Sequence, residues 1–304
     1  MTGHSNTIIC EDYSYLLMKQ LVNYFLSALV GLLLLAGCRV QKGPIRGPEG
    51  HIAYKITLPE GFDTTACQYP MVILMHGIFS SKDYGPMPQL AKGLAESGIA
   101  SIRFDFDGHG KSEGRKQDMT IEKELADTKA VWDYVQSLPY VNGAGLLGHS
   151  QGGVIASMAA GRLATESLAS VDENKTPLGV VLIAPGSVIK EACQGGKFFN
   201  ATFDPKDPPE YIRCWGLYKL GREYLVTTQQ LDIFGTSAAY KGPVLLLHGD
   251  RDGIVPMWCS ERYLETYGSH ATLQVVEGEN HTITRHRKQV VEATVEFFKE
   301  VFKN

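Results

Sequence analysis

Short runs of consecutive apolar residues recur along this chain, and stretches with apolar residues at helical spacing separate most of them. Continuous apolar runs are typical of strands buried on both faces of a parallel sheet. The pattern predicts strands at 51–58, 71–75, 99–106, 178–184, 243–249 and 272–276, and one directly before Gly148. It predicts helices at about 87–97, from Thr120, at 151–168, near 260–267 and at the chain end. The alternation predicts an α/β fold, with a mostly parallel central sheet and helices on both faces.

The regular pattern stops between residues 186 and 242. This segment is rich in glycine, proline and aromatic residues, and its apolar residues keep no clean periodicity. A long irregular insertion in a compact domain is usually a lid or a binding loop. We therefore expect a cap, inserted after the sixth strand and covering an apolar cleft. The alternative is a surface elaboration with a small core of its own.

A separate apolar segment, residues 21–36, lies near the N-terminus. It is shorter than the roughly 20 residues that a transmembrane helix needs, and it suits the apolar region of a signal peptide. The sequence Leu35-Ala36-Gly37-Cys38 resembles the bacterial lipobox, in which the cysteine receives a lipid and becomes the mature N-terminus. On this interpretation residues 1–38 are an export signal, and Cys38 anchors the protein to a membrane of the bacterial cell envelope. An uncleaved signal anchor is the alternative.

The sequence also suggests where the translated chain and the folded domain begin. Lys19 directly follows Met18 and supplies the positive charge expected before the apolar segment, whereas Glu11 and Asp12 fit an export signal poorly. We therefore expect translation to start at Met18, which leaves residues 1–17 untranslated. Residues 39–50 are rich in glycine and proline and predict a linker. The folded domain is then expected at residues 51–304.

Composition and charge exclude several classes of function. The 304 residues are 44% hydrophobic and 20% charged, which is ordinary for a globular protein. The net charge is −4 and no long basic block occurs, so nucleic acid is not an expected partner. No Cys or His cluster has the spacing of a metal site, and neither a metal nor another cofactor is expected. The six cysteines are scattered, although Cys193 and Cys214 could bridge the cap in an oxidising compartment.

Candidate chemistry centres on Gly148-His149-Ser150-Gln151-Gly152, between a predicted strand and a predicted helix. Gly-x-Ser-x-Gly in that context is the nucleophile-elbow pattern, a strained turn that exposes the serine hydroxyl at the carboxyl edge of a sheet. Glycines flank the serine because side chains there would collide with neighbouring backbone. Ser150 is therefore the candidate nucleophile.

A serine nucleophile needs a histidine base that a carboxylate orients, and in this architecture the chain order is Ser, Asp or Glu, then His. Asp250 and Asp252 both follow the strand at 243–249, and we favour Asp252. Asp250 would instead form a turn. His281 follows the last predicted strand and is the candidate base; the alternatives are His286 and His270.

The negative oxygen of an acyl-transfer intermediate needs fixed hydrogen-bond donors. We expect them to be the backbone N–H of Gln151, next to the nucleophile, and the backbone N–H of Ile78, in the loop after the strand at 71–75. Two further histidines near these loops, His76 and His149, are interpreted as structural. We expect His109 to be a loop residue that contacts the same edge of the sheet.

Three stretches carry a resemblance to a known family: residues 101–110, residues 148–158, and Leu247-His248-Gly249 with Asp252. Arg103-Phe104-Asp105-Phe106 and His149-Ser150-Gln151-Gly152-Gly153 are the more specific parts of the first two. Over roughly residues 51–302 the chain resembles the serine esterases of the α/β-hydrolase fold, and more closely the bacterial cinnamoyl (feruloyl) esterases. The resemblance implies Ser150, Asp252 and His281 as the triad. It also implies that the cap binds a phenolic ring through a tyrosine, here Tyr224, and an acidic residue, for which Glu191 is the nearby candidate. Ile78 stands where the family commonly has phenylalanine.

The function expected on these grounds is hydrolysis of carboxylic esters through an acyl-serine intermediate. The resemblance implies ferulate or other hydroxycinnamate esters of plant cell walls, so that the partner is a small ester or a feruloylated oligosaccharide. A lipase of the monoacylglycerol type is one alternative. A non-catalytic surface binding protein is another.

Overall fold

The computed structural model describes residues 40–63, 65, 68–170 and 176–303. The export signal predicted at residues 1–38 lies outside these residues. Within the described part, no helix is both long and apolar enough to cross a membrane.

Twelve strands and eight α-helices follow one another in the described residues. The strands are β1 Val40–Arg46, β2 His51–Thr57, β3 Tyr69–Met75, β4 Ala100–Phe104, β5 Val141–His149, β6 Val180–Ile183, β7 Lys197–Phe198, β8 Ala201–Thr202, β9 Tyr211–Cys214, β10 Tyr218–Gly221, β11 Val244–Gly249 and β12 Ala271–Val276. The helices are α1 Met87–Glu96, α2 Ile121–Gln136, α3 Gln151–Ser170, α4 Ile189–Gln194, α5 Arg222–Thr228, α6 Ile233–Ser237, α7 Trp258–Tyr267 and α8 Arg287–Val301.

Eight of these strands form the central sheet, in the order β1-β2-β4-β3-β5-β6-β11-β12. From β4 to β12 every neighbouring pair is parallel, whereas β1 and β2 are antiparallel to their neighbours. Parallel strands need a crossover between them, and helices supply most of these crossovers. The predicted mostly parallel α/β sheet is therefore confirmed.

The central strands bury side chains on both faces. In β3, Met71, Ile73 and Met75 join the larger core cluster, and Val72 and Leu74 join the other. Helices α2 and α3 pack on the first face, while α1 and α8 cover the second. A central strand needs apolar side chains at every position, because successive residues point to opposite faces of the sheet and helices cover both faces.

The linker predicted at residues 39–50 is wrong for most of its length. Val40–Arg46 is an outer strand that pairs with β2 from Val40↔Thr57 to Arg46↔His51. An outer strand needs ladder hydrogen bonds on one side only, so it tolerates Pro44. Ile45 is buried and ties this strand to the core.

The irregular segment is a cap between β6 and β11, which confirms the insertion after the sixth strand. It contains three short helices, α4, α5 and α6, and two hairpins, β7–β8 and β9–β10. Its buried apolar residues belong to the same core cluster as the adjoining face of the sheet: Cys193, Phe198, Ile212, Cys214, Leu220, Tyr224 and Leu225. The cap is thus built onto the domain and has no separate core.

Candidate active site

Ser150 lies in the sharp turn between β5 and α3. Its φ is +58°, a left-handed conformation that non-glycine residues seldom adopt and that persists only where the surroundings enforce it. A Cβ on Gly148 would lie 1.9 Å from the carbonyl oxygen of Gly152, and a Cβ on Gly152 would lie 2.3 Å from the carbonyl oxygen of Met75. Backbone packing therefore requires both glycines, as the sequence predicts.

The structure brings Ser150, His281 and Asp252 together from three separate loops. The distance from His281 Nε2 to Ser150 Oγ is 2.9 Å, and the distance from His281 Nδ1 to Asp252 Oδ2 is 2.7 Å. This geometry lets Nδ1–H donate to the carboxylate while Nε2 accepts the serine proton. The hydrogen-bonded chain is the arrangement that nucleophilic catalysis by serine needs.

Asp252 is ionised and held rigidly. Its Oδ1 accepts hydrogen bonds from the backbone N–H groups of Ile254 and Val255, each at 2.8 Å. Burial opposes ionisation, but hydrogen bonds from His248 and His281 outweigh it and hold the pKa of Asp252 well below its usual range. The carboxylate is therefore oriented before a substrate binds.

The alternative residues lie elsewhere. Asp250 Oδ1 accepts from the backbone N–H of Gly278 at 2.6 Å, so Asp250 joins two loops and does not reach His281. The side chains of His270 and His286 are exposed. The structure thus separates Asp252 and His281 from their neighbours in sequence.

Sequence reasoning assigned no role to two residues beside the triad. His248 Nε2 lies 3.3 Å from Asp252 Oδ2 and donates to the carbonyl oxygen of Val255 at 3.0 Å. Glu279 is buried and accepts from the backbone N–H groups of Asn280, Thr284, Arg285 and His286. His248 thus places a second imidazole beside the carboxylate of Asp252, and Glu279 fixes the loop that carries His281. A charged residue inside a predicted active-site loop was the available signal for Glu279.

His76 and His149, interpreted as structural, and the loop residue His109 all make hydrogen bonds with backbone groups. His149 Nε2–H donates to the carbonyl oxygen of His281 at 2.7 Å, and burial lowers the pKa of His149 to about 3. His76 Nδ1–H donates to the carbonyl oxygen of Gly77 at 2.8 Å, and burial lowers the pKa of His76 to about 4. His109 donates to the carbonyl oxygen of Asp107 at 2.9 Å. Neutral, buried imidazoles of this kind hold the loops around Ser150 in place.

Both predicted oxyanion donors lie next to the nucleophile. Gln151 is the first residue of α3, where a backbone N–H has no partner within the helix. The loop that contains Ile78 lies against the serine: a Cβ on the preceding residue, Gly77, would lie 3.4 Å from Ser150 Oγ. Within the part of the chain that the structure describes, neither backbone N–H donates a hydrogen bond. Both are therefore available to a negatively charged oxygen.

A cleft of about 570 Å³ opens over Ser150 and His281. Two pairs of aromatic rings line it: Phe79 and Tyr218 stack at 4.6 Å between ring centroids, and Phe199 and Trp215 lie 4.2 Å apart. Its polar lining residues include Asp83, Gln89, Thr282, Thr284 and Arg287. A larger groove of about 700 Å³ runs between α1 and α8, but neither Ser150 nor His281 lines it.

The structure places Tyr224 differently from the prediction. Its side chain is buried, does not line the cleft, and donates its hydroxyl proton to Gln151 Oε1 at 2.7 Å. Because the hydroxyl already has an acceptor inside the protein, it is not presented to a substrate ring. Glu191, the nearby candidate for the acidic partner, pairs with Arg262 at 3.5 Å and does not line the cleft either. The cap instead contributes the aromatic side chains of Phe199, Trp215 and Tyr218 to the lining of the cleft.

The cap cysteines do not form the disulfide considered above. Cys193 and Cys214 are buried free thiols, and burial raises the pKa of Cys193 to about 12. Among the described residues, no group of three or more His, Cys, Asp or Glu side chains could hold a metal ion.

Two family models match adjoining parts of the chain. The serine aminopeptidase S33 family matches residues 68–203, and the prolyl oligopeptidase family matches residues 219–304. A curated relative, the mitochondrial palmitoyl-protein thioesterase ABHD10 of Pongo abelii, is 25% identical over 210 residues, or 65% of this chain and 63% of that protein. The chain spans between 58% and 63% of the length of the thioesterase relatives that it matches.

Solved structures agree with this fold over most of the domain. Est1E of Butyrivibrio proteoclasticus, solved with bound ferulic acid, is 28% identical, with a TM-score of 0.78 over 86% of this chain and 100% of that chain. The esterase Pf2001 of Pyrococcus furiosus is 21% identical, with a TM-score of 0.62 over 86% of this chain and 93% of its own, and it shows the shared fold alone. Together, the sheet, the elbow and these similarities show that the chain has the α/β-hydrolase fold and is similar to the serine esterases of that fold.

Proposed function

We propose that this protein hydrolyses carboxylic esters through an acyl-serine intermediate. The observation that carries the proposal is the hydrogen-bonded chain from Ser150 through His281 to Asp252 at the base of an apolar cleft. His281 Nε2 takes the proton of Ser150 as Oγ attacks the ester carbonyl carbon. Asp252 stabilises the imidazolium that forms.

The same residues complete the reaction, and His281 changes from proton acceptor to proton donor. The backbone N–H groups of Ile78 and Gln151 bind the negative oxygen of the tetrahedral intermediate. His281 then gives its proton to the departing alcohol, which leaves the acyl group on Ser150 Oγ. Water attacks the acyl carbon, His281 takes a proton from that water, and the acid is released as the serine recovers its hydrogen.

Hydroxycinnamate esters are the substrates we favour, and ferulate esters of plant cell-wall oligosaccharides most of all. The aromatic side chains of Phe79, Tyr218, Phe199 and Trp215 line the cleft and suit a flat conjugated acyl group. The likeness to Est1E, whose solved structure contains ferulic acid, supports the same class. In this proposal the ring is recognised by stacking, because the hydroxyl of Tyr224 is already bonded to Gln151.

A thioesterase is the second candidate, favoured by the likeness to proteins named palmitoyl-protein thioesterase. The same triad cleaves a thioester with a thiol as the leaving group. A monoacylglycerol-type lipase is the third candidate, with an aliphatic acyl chain in place of the ring.

Comparing kcat/KM for methyl ferulate, a medium-chain monoacylglycerol and a palmitoyl thioester separates the three candidates. Ester hydrolysis by the wild type and none by Ser150→Ala is the expected result, with methyl ferulate preferred by at least tenfold. Preference for either aliphatic substrate would replace the hydroxycinnamate assignment and leave the acyl-serine mechanism in place. A wild type that turns over no substrate and resists a fluorophosphonate probe would favour the non-catalytic binding protein.

We further propose that Cys38 carries a lipid that anchors the protein to the bacterial cell envelope. The support is the sequence Leu35-Ala36-Gly37-Cys38 after an apolar segment. Expressed in a bacterium fed a labelled fatty acid, the full chain should incorporate label and sediment with membranes, whereas Cys38→Ala should not be labelled. Equal labelling of both proteins would contradict the proposal.

A further inference from the structure

We propose that Glu124, Gln151 and Tyr224 form a buried hydrogen-bonded chain that positions the oxyanion-binding N–H of Gln151 and ties it to the cap. The inference rests on the proposed acyl-serine chemistry. It makes Glu124 and Tyr224 positioning residues, since neither touches the reacting atoms.

Both ends of the Gln151 amide are used. Its Oε1 accepts from the hydroxyl of Tyr224 at 2.7 Å, and its Nε2 donates to Glu124 Oε2 at 2.8 Å. All three side chains are at most 1% exposed. The chain links α2 of the body, the start of α3 and α5 of the cap, so the side chain of Gln151 is fixed from two directions.

The peptide between Ser150 and Gln151 is the part that this fixation protects. Its carbonyl oxygen accepts from the backbone N–H of Gly153 at 2.9 Å and of Gly186 at 3.0 Å. In a trans peptide the N–H points opposite to the carbonyl, so the N–H of Gln151 is directed away from those donors. Because Ser150 holds a φ of +58°, this peptide relaxes unless its neighbours hold it. Gly186 of the cap restrains this peptide directly through its backbone N–H. Tyr224 of the cap restrains it through the side chain of Gln151.

Glu124 is suited to a neutral role in this chain. Burial raises its pKa to about 8, and the nearby carboxyl groups of Asp127 and Asp107 act in the same direction. Its Oε1 has no hydrogen-bond partner in the described structure. A protonated carboxyl can be buried without a counter-ion, and its remaining oxygen still accepts from Gln151.

The arrangement predicts that a change in the cap lowers kcat, rather than altering substrate affinity alone. Loosening Tyr224 should weaken stabilisation of the transition state for every acyl group, because the oxyanion is common to all esters. If Tyr224 read the phenolic ring, only phenolic esters would be affected.

The test compares Tyr224→Phe with Tyr240→Phe in the full protein. Tyr240 is the matched control: it is also fully buried, and its hydroxyl donates to the carbonyl oxygen of Pro177 at 2.9 Å, away from Gln151. We expect Tyr224→Phe to lower kcat by roughly 3- to 10-fold on methyl ferulate, methyl cinnamate and 4-nitrophenyl butyrate alike, with KM little changed. Affinity for a trifluoromethyl ketone, which forms a tetrahedral adduct, should fall by the same factor. Tyr240→Phe should change neither quantity by more than about twofold.

Glu124 provides an independent arm. Glu124→Ala should lower kcat at least as much as Tyr224→Phe, and Glu124→Gln should restore most of the loss because its amide oxygen still accepts from Gln151. If Glu124→Ala does not fold, the tyrosine pair and Glu124→Gln still decide the matter.

Three results would overturn the inference: a loss confined to methyl ferulate, an equal loss in Tyr240→Phe, or a change in KM alone. Should the wild type hydrolyse none of the esters, the proposed function fails separately. The role of the hydrogen-bonded chain is then tested by the rate at which a fluorophosphonate labels Ser150, because the phosphoryl oxygen of that reagent occupies the same oxyanion site. An unchanged labelling rate in Tyr224→Phe would reject it.

Discussion

Replacing Asp252 by asparagine tests the assignment of the triad most directly. The oxygen at the Oδ1 position accepts from two backbone N–H groups, those of Ile254 and Val255. An amide nitrogen cannot take that place, because it would face two donors. The new NH₂ group therefore faces His281 Nδ1, which then has to accept a hydrogen bond. That tautomer carries its proton on Nε2 and cannot receive the proton of Ser150.

The magnitude follows from charge and tautomer together. With an effective dielectric constant of about 20, a carboxylate about 4 Å from an imidazolium stabilises it by about 4 kcal/mol. Loss of that interaction corresponds to about 10³-fold in rate, and the wrong tautomer lowers the rate further. We expect kcat for Asp252→Asn to fall by about 10⁴-fold, the loss typical of this change in a Ser-His-Asp triad.

Steady-state hydrolysis of 4-nitrophenyl butyrate measures this loss, with circular dichroism to show that the variant is folded. Asp250→Asn is the matched control, since the carboxylate of Asp250 accepts a hydrogen bond from the backbone N–H of Gly278 in the neighbouring loop. It should keep kcat within about threefold of the wild type. A larger loss in Asp250→Asn than in Asp252→Asn would refute the assignment.

Two further predictions concern stability. Gly152→Ala should lower the free energy of unfolding by at least about 2 kcal/mol, because its Cβ would meet backbone oxygens at 2.3 and 2.5 Å. Urea denaturation measures this loss. The control is Gly253→Ala, whose Cβ would meet nothing within 4 Å and which should change the free energy of unfolding by less than about 0.5 kcal/mol. Burial raises the pKa of Glu124 from 4.5 to about 8, so the folded state retains a proton that the unfolded state releases, and this contribution to stability is lost as pH rises between those values. The wild type should therefore lose stability relative to Glu124→Gln between pH 5 and pH 8, with Asp127 titrating in both proteins; an equal difference at the two pH values would contradict the assignment.

The sequence by itself determined the sheet and the place of the nucleophile. Runs such as Met71–Met75 are apolar at every position because both faces of a central parallel strand are covered, and that requirement is visible in one dimension. The elbow is equally local: the backbone of the turn excludes a Cβ at Gly148 and at Gly152. The order of Ser150, Asp252 and His281 reflects strand order, so three strand ends narrowed the candidates to a few residues. The structure then separated Asp252 from Asp250.

Only the tertiary structure decided which groups meet across the domain. Pairing with β2 makes Val40–Arg46 a strand, although glycine and proline there indicate a linker, because an outer strand tolerates both residues. Tyr224 lies 73 residues from Gln151 in the chain, and its hydroxyl turns toward Gln151 and away from the cleft. The contact of His248 with Asp252, like the backbone bonds of Glu279, depends on how the loops close at the sheet edge. Composition and spacing record which residues must be buried or flexible, whereas the direction of a polar side chain depends on partners that only the folded chain brings within reach.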